Sequence, residues 1–233
     1  MDPSVLDKAL LRARAAGAGG VVVFDLDSTL LDNRPRQAVI LREFGRAHGL
    51  AALENARPEH WQGWSIQRAM TNAGLDDADV TRWAEQAKQF WRERFFTSEY
   101  CRLDDAIAGA VAFVSDVRAR GTQVAYCTGR HDAMRAGTVE SFARLGLPEP
   151  GPLVHLLMKP TFEMTDDDWK VAAYERLRGM GDVLAVFDNE PTHVNGYRAA
   201  FPKALVVHLL TDDSGRPVEL SDGILSIRNF LRS

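Results

Sequence analysis

Cysteine is nearly absent: the 233 residues hold two, Cys101 and Cys127, too few for a disulfide framework in a chain this size. A reducing, cytoplasmic setting is expected, with Cys127 a small core residue. Also missing is any uninterrupted apolar run long enough to span a bilayer. The first residues place Asp2, Asp7, Lys8, Arg12 and Arg14 among their apolar neighbours, which excludes the unbroken centre of a signal peptide. Charge of one sign is nowhere concentrated. The 28 basic and 32 acidic residues give a net charge of −4, so neither nucleic acid nor a membrane is expected as a partner. The apolar share of 45% supports a large buried interior, and the expectation is a soluble monomer or homodimer.

What is present is concentrated at Phe24-Asp25-Leu26-Asp27-Ser28-Thr29-Leu30, which follows the apolar stretch Val21-Val22-Val23. Two carboxylates at i and i+2 of an extended segment point to one side. Placed beyond a buried strand they repel, and need a cation, a shared proton or solvent. A hard metal ion suits them, because magnesium prefers carboxylate oxygens and accepts phosphate oxygens and water in the rest of its shell.

The remaining chain alternates between helix and strand. A helix from about Pro3 to Ala16 precedes the strand Val21 to Phe24. From Arg34 to Arg102 no convincing strand occurs, and Gln37–His48, Glu59–Asn72 and Asp77–Phe96 show helical spacing. Helix Asp104–Arg120 then leads to strand Gln123–Cys127, helix Asp132–Leu145 to strand Leu153–Met158, and helix Asp167–Arg178 to strand Val183–Phe187. A last strand, Ala204–Leu210, follows a short helix. This pattern predicts a Rossmann-like α/β core with a parallel sheet, residues 1–32 and 104–233, and a helical cap, residues 33–103. Ligands of such sheets bind beyond the carboxyl ends of the strands.

Two further strand ends carry chemistry. Strand Gln123–Cys127 runs into Thr128-Gly129-Arg130, where a hydroxyl and a glycine N–H suit an anionic oxygen ahead of a helix. Strand Val183–Phe187 runs into Asp188-Asn189-Glu190, a third carboxylate site.

In this order the motifs resemble the haloacid dehalogenase-like hydrolase superfamily, phosphatase type. Asp25-Leu26-Asp27-Ser28-Thr29 is similar to its first motif, Thr128-Gly129-Arg130 to its second and Asp188-Asn189-Glu190 to its fourth. Two lysines compete for the third: Lys159, which heads Lys-Pro after a strand, and Lys170, favoured here, whose spacing is closer to the polynucleotide-phosphatase type. The chain has Asn189 where members often carry a second aspartate, leaving Asn189, Glu190 or Asn195 to complete the metal shell.

The resemblance implies a magnesium-dependent phosphomonoester hydrolase for a small soluble phosphate. Asp25 would form an aspartyl phosphate and Asp27 would alternate as acid and base, its pKa raised by adjacent anions. Catalysis falls to Asp25, Asp27 and one of Lys170 and Lys159. Substrate binding falls to Leu26, Thr128, Gly129 and Arg130. Magnesium would be held by Asp25, Asp188 and, through its backbone carbonyl, Asp27. Family dehalogenases lack an acid two residues after the nucleophile, so Asp27 argues against dehalogenation. The alternatives are a phosphotransferase or mutase, or a non-catalytic phosphate-binding module.

The insert should set the substrate. Trp61, Trp64, Trp83, Trp91, Phe90, Phe95 and Phe96 crowd it and are read as core of a small bundle before an aromatic clamp. Arg34 and Arg36 are read as a solvated hinge, His131 as a helix-start residue, and Asp166-Asp167-Asp168 as acids favouring a helix dipole.

Overall fold

Ser4 starts the chain of elements by accepting the Asp7 N–H on its Oγ at 3.2 Å, a helix N-cap. The computed structural model describes residues 4–232. Helix α1 (Val5–Ala16) buries Leu6, Ala9, Leu10 and Ala13; Pro3, its expected start, lies outside the described residues. Strand β1 (Gly20–Phe24) has no polar side chain and is buried throughout, the pattern of a strand covered on both faces.

The chain then leaves the sheet through β2 (Leu31–Asp32) and returns through β3 (Asp105–Ala106), which pair antiparallel, Leu31 opposite Ala106 and Asp32 opposite Asp105. Between them lie α2 (Arg34–His48), α3 (Ile66–Asn72), α4 (Asp77–Phe95) and α5 (Ser98–Cys101). This segment packs its own core, including Leu41, Phe44, Leu53, Trp61 and Met70. The single helix expected over Glu59–Asn72 is broken. A short turn at Pro58–His60 and Gly63 at φ 69° precede Ser65, whose Oγ caps α3 by accepting the Arg68 N–H at 3.2 Å.

After β3 come α6 (Ala110–Ala119), β4 (Gln123–His131), α7 (Arg135–Leu145), β5 (Val154–Lys159), α8 (Asp166–Met180), β6 (Asp182–Asp188), α9 (Pro191–Ala200), β7 (Leu205–Leu209) and β8 (Leu225–Ile227). Helix α6 starts six residues later than expected. Gly109 holds φ 80° just before it, and a Cβ there would lie 2.5 Å from the Phe230 carbonyl carbon and oxygen, so only glycine makes this turn.

The main sheet runs β5-β4-β1-β6-β7-β8, every neighbouring pair parallel. Strand β8 was not expected; its three residues are mostly exposed at the sheet edge. One face packs Phe24 against Phe187 at 5.1 Å, with Phe113 and Phe230 around them. The other packs Val21, Val23 and Ala125 under α8 and α9 through Leu177 and Tyr197. No described helix is long and apolar enough to cross a membrane. Because β4 and β6 flank β1, the residues just past Phe24, Cys127 and Phe187 emerge side by side.

Candidate active site

Beyond β1 the backbone turns back on itself. The Asp25 N–H continues the ladder to the Phe187 carbonyl at 2.9 Å, and the Leu26 carbonyl then accepts from Thr29, Leu30 and Leu31. Ser28 sits at φ 59° in this turn, a region where non-glycine residues are uncommon. The Leu26 side chain is buried in the core, so only its backbone can meet a ligand. The turn sends the two acids to different partners.

Asp25 faces Lys170. Thr165 caps α8, its Oγ1 accepting the Asp168 N–H at 3.1 Å, and Lys170 on the next turn points under the strand ends. Its Nζ donates to Asp25 Oδ1 at 2.7 Å, to Asp188 Oδ2 at 2.8 Å and to the Cys127 carbonyl at 2.7 Å. Two buried carboxylates share one ammonium. Burial pushes the Asp25 pKa up to about 7; Lys170 opposes this and the charges on Asp188 and Asp27 reinforce it. Burial works against the Asp188 charge too, but Lys170 and His193 together hold its pKa below the ordinary range. The other lysine, Lys159, donates to Asp166 at 2.7 Å and takes no part in this group.

Asp27 faces arginine. Arg130 donates from Nε to Asp27 Oδ2 at 2.8 Å and from a terminal nitrogen to Oδ1 at 2.7 Å, a bidentate pair. Arg36 adds a third bond to Oδ1 at 2.8 Å. Asp104 completes the cluster, 2.6 Å from Arg130 and 3.0 Å from Arg36 Nε, the latter contact off the hydrogen-bond line. The side chains of Arg36 and Asp104 are wholly buried and that of Arg130 nearly so. Arg36 comes from the inserted segment, Asp104 from its return and Arg130 from the core.

Three expectations are corrected by this cluster. Burial opposes the Asp27 charge, yet the two guanidiniums and Asn33 carry its pKa well below the carboxylate range; adjacent anions do not raise it, because adjacent cations outweigh them. Arg36 is not a solvated hinge residue; Arg34 alone is exposed enough for that, paired with Asp32. The Arg130 guanidinium, expected beside the substrate phosphate, is engaged with Asp27, Asp104 and Thr138.

Thr128 is buried, its Oγ1 accepting the Arg130 N–H at 3.2 Å, which leaves the hydroxyl hydrogen for a ligand. At Gly129 a Cβ would lie 2.5 Å from the Asp166 carboxylate, so glycine keeps the second-motif backbone open beside Thr128. Thr128, Gly129, Asp25, Asp27 and Lys170 line one cavity of about 370 Å³.

Asn189 and Glu190 border the cavity, but their side chains are occupied. Asn189 accepts from Thr29 and donates to the Asp212 carbonyl; Glu190 accepts from Ser214 and Arg216. Asn195 lies apart, bonded to the backbone of Glu219 and Ser221. The residue the sequence reading missed is His193, with Nδ1 3.4 Å from Asp188 Oδ1 and Nε2 3.0 Å from Asp167. Its signal was its place in the first helical turn after the third acidic motif. Burial opposes its charge, and Asp188 outweighs burial to raise its pKa. The loop Thr211–Arg216 was missed as well. It reaches Ser28 through Thr211, Gly63 through Asp212, Glu190 through Ser214 and Asp167 through Arg216.

His131 packs against Phe162 at 5.5 Å, outside the cavity. Asp166, Asp167 and Asp168 pair with Lys159, Arg216 and the Thr165 hydroxyl, and none joins a metal cluster. The aromatic residues divide. Trp61, Trp83 and Phe90 pack into the core of the insert, Trp64, Phe95 and Phe96 line the cavity, and Trp91 does both.

Among the described residues no three His, Cys, Asp or Glu side chains are grouped to hold a metal ion. The Asp27 carboxylate is turned to the arginines, but the expected donor there is its main-chain carbonyl, so the carboxylates of the set are still Asp25 and Asp188. One or two carboxylates, with water and phosphate oxygens for the rest, is a donor set magnesium accepts. The residues therefore fit such an ion in donor chemistry.

A haloacid dehalogenase-like hydrolase family model matches residues 20–154. Among solved structures, the protein tyrosine kinase A of Mycobacterium tuberculosis is similar with a TM-score of 0.57 at 17% identity, over 88% of this chain and 92% of that one. A Clostridium difficile protein proposed to be a phosphatase gives 0.54 at 11% identity, over 84% and 87%. A dehalogenase gives 0.50 at 15% identity, over 90% and 93%. At these identities the structures speak for the fold alone, while the family match spans more than half of the sequence: the chain belongs to the haloacid dehalogenase-like hydrolases.

Proposed function

We propose that the protein hydrolyses phosphate monoesters through an aspartyl phosphate on Asp25. The observation that carries this reading is the pair of Asp25 and Lys170 lining a cavity with Thr128, with Asp188 buried behind them and bonded to the same ammonium. A carboxylate nucleophile, an ammonium and a hydroxyl donor there face the place where phosphoryl charge would collect. An Asp25 oxygen attacks phosphorus, the ester P–O bond breaks, and the leaving oxygen takes a proton from Asp27. Water then returns a proton to Asp27 and attacks the acyl phosphate, releasing phosphate and the free Asp25 carboxylate. For this Asp27 must turn from at least one of the guanidiniums that hold it ionised and take up a proton, from solvent or from the substrate's own phosphate monoanion, before the ester bond breaks.

Asp25 and Asp188, with the Asp27 main-chain carbonyl, would hold magnesium, which would neutralise phosphate charge. Lys170 restrains the two carboxylates and binds a phosphate oxygen, and Thr128 and the Gly129 N–H take others. The test is release of inorganic phosphate from a panel of monoesters with and without magnesium. Turnover that requires magnesium and vanishes in Asp25→Asn is the expected result; full turnover in that variant would remove Asp25 as nucleophile. Added acceptor alcohols that become phosphorylated would identify a transferase instead.

A further inference from the structure

The part of the cavity wall that the insert supplies is aromatic. Trp64, Trp91, Phe95 and Phe96 come from the insert and Met134 from the core. Trp91 and Phe95 are stacked with centroids 4.5 Å apart, Trp64 stands edge-on to Phe95 at 5.5 Å, and Phe96 stands edge-on to Phe95 at 5.1 Å. These rings form one continuous surface. Packing accounts for Phe95, 3% exposed under the Arg36 guanidinium, for Trp91 on the insert's core and for Phe96 on the main core, but not for Trp64. Trp61 is 2% exposed in the insert's core, but Trp64, three residues on, is 37% exposed at the cavity and among the large apolar residues left open to solvent.

The charges around the cavity narrow what this surface can receive. Its cationic groups are Lys170, Arg130 and His193, the first two each bonded to two carboxylates and the imidazole, its pKa raised against burial by Asp188, set between Asp188 and Asp167. Its acids Asp166 and Glu190 are paired too, with Lys159 and Arg216. A substrate with a second anionic group would find no cation in the lining that is not already paired. A flat, uncharged ring would find ring faces and edges to pack on.

We propose that this wall is a subsite for the alcohol portion of the substrate, and that this portion is an uncharged aromatic group. The inference rests on the phosphatase reading, and its test separates the two. With magnesium present, 2-phenylethyl phosphate, n-butyl phosphate and 3-phosphoglycerate are compared; the first two leave as alcohols of similar acidity and differ in the ring. The expected kcat/KM for the phenylethyl ester is about tenfold above that for the butyl ester, with 3-phosphoglycerate lowest. Trp64→Ala and Trp64→Leu should each lower the phenylethyl value several-fold more than the butyl value. Equal values for the two esters, or equal losses in the variants, would overturn the subsite and leave the phosphatase intact.

Absence of turnover with every ester would overturn the phosphatase, and a binding measurement then decides the subsite. Titration of tryptophan fluorescence with the non-hydrolysable 2-phenylethylphosphonate and n-butylphosphonate should show tighter binding of the aryl compound, lost in Trp64→Ala. Indistinguishable binding would dismiss the subsite.

Discussion

Two buried ionic clusters flank the cavity, and they are built to opposite balances. Asp27 and Asp104 face Arg36 and Arg130, acid matched with base in number; against burial the guanidiniums hold the Asp27 pKa low, while burial raises that of Asp104. Asp25 and Asp188 share the single ammonium of Lys170, and the Asp25 pKa rises to about 7. The balanced cluster joins the insert to the core. The under-compensated cluster has charge left for a cation or a phosphoryl group, although both begin from the same Asp-Leu-Asp.

Removing the nucleophile should produce the largest effect. Asp25→Asn is expected to lower phosphate release by at least about a thousandfold, read as kcat on an aryl phosphate, with the circular-dichroism spectrum unchanged. The balanced cluster breaks differently. Arg36→Met leaves Asp27 and Asp104 with one arginine and should cost about 3 kcal/mol in urea unfolding. Arg36→Met combined with Asp104→Leu removes one charge of each sign and should cost less; an equal or larger loss would show that charge balance is not what the cluster supplies.

A smaller effect tests the other cluster through pH. The folded state raises the Asp25 pKa from 3.8 to about 7, so it binds that proton more tightly than the unfolded chain. This contribution is fully present below about pH 4 and is lost as pH rises through about 7. Without divalent ions at pH 8, Asp25→Asn should therefore be more stable than the parent, with the advantage gone below about pH 4. Added magnesium should raise the parent's Tm and narrow the gap at pH 8. An equal gap at both pH values would mean that Asp25 is not strained by its charge. Smallest of all, Lys159→Met should shift stability by less than about 0.5 kcal/mol, because its partner Asp166 is half exposed. Lys170→Met should slow turnover by about a hundredfold.

The parallel core was legible, the edge strand β8 excepted, because its strands are short, mainly apolar runs closed by turn residues, and β1 is apolar without interruption. Its acids were visible for the same reason: carboxylates just after Val-Val-Val-Phe have no place in a core. The partners of those acids were less visible. Arg36 reads as one charge among several on an amphipathic helix, and its partners Asp27 and Asp104 are brought to it only by the β2–β3 pairing. His193 had a positional signal but no motif. The Thr211–Arg216 loop reads as ordinary turn chemistry, since what it covers is set by where β7 ends. Trp61 and Trp64 fall one helical turn apart by number and read alike. Gly63 breaks the helix beyond Trp61, and the two indoles part, one to the insert's core and one to the cavity.

The insert leaves and rejoins the sheet through two strands paired with each other, so its ends sit about 5 Å apart, one ladder spacing. A module with coincident ends can be exchanged for another without re-threading the sheet. Such a transplant would still not be neutral here, since the departing piece carries the guanidinium of Arg36 with it. A recipient module would have to bring a cation of its own, or leave Asp27 and Asp104 to share Arg130 alone.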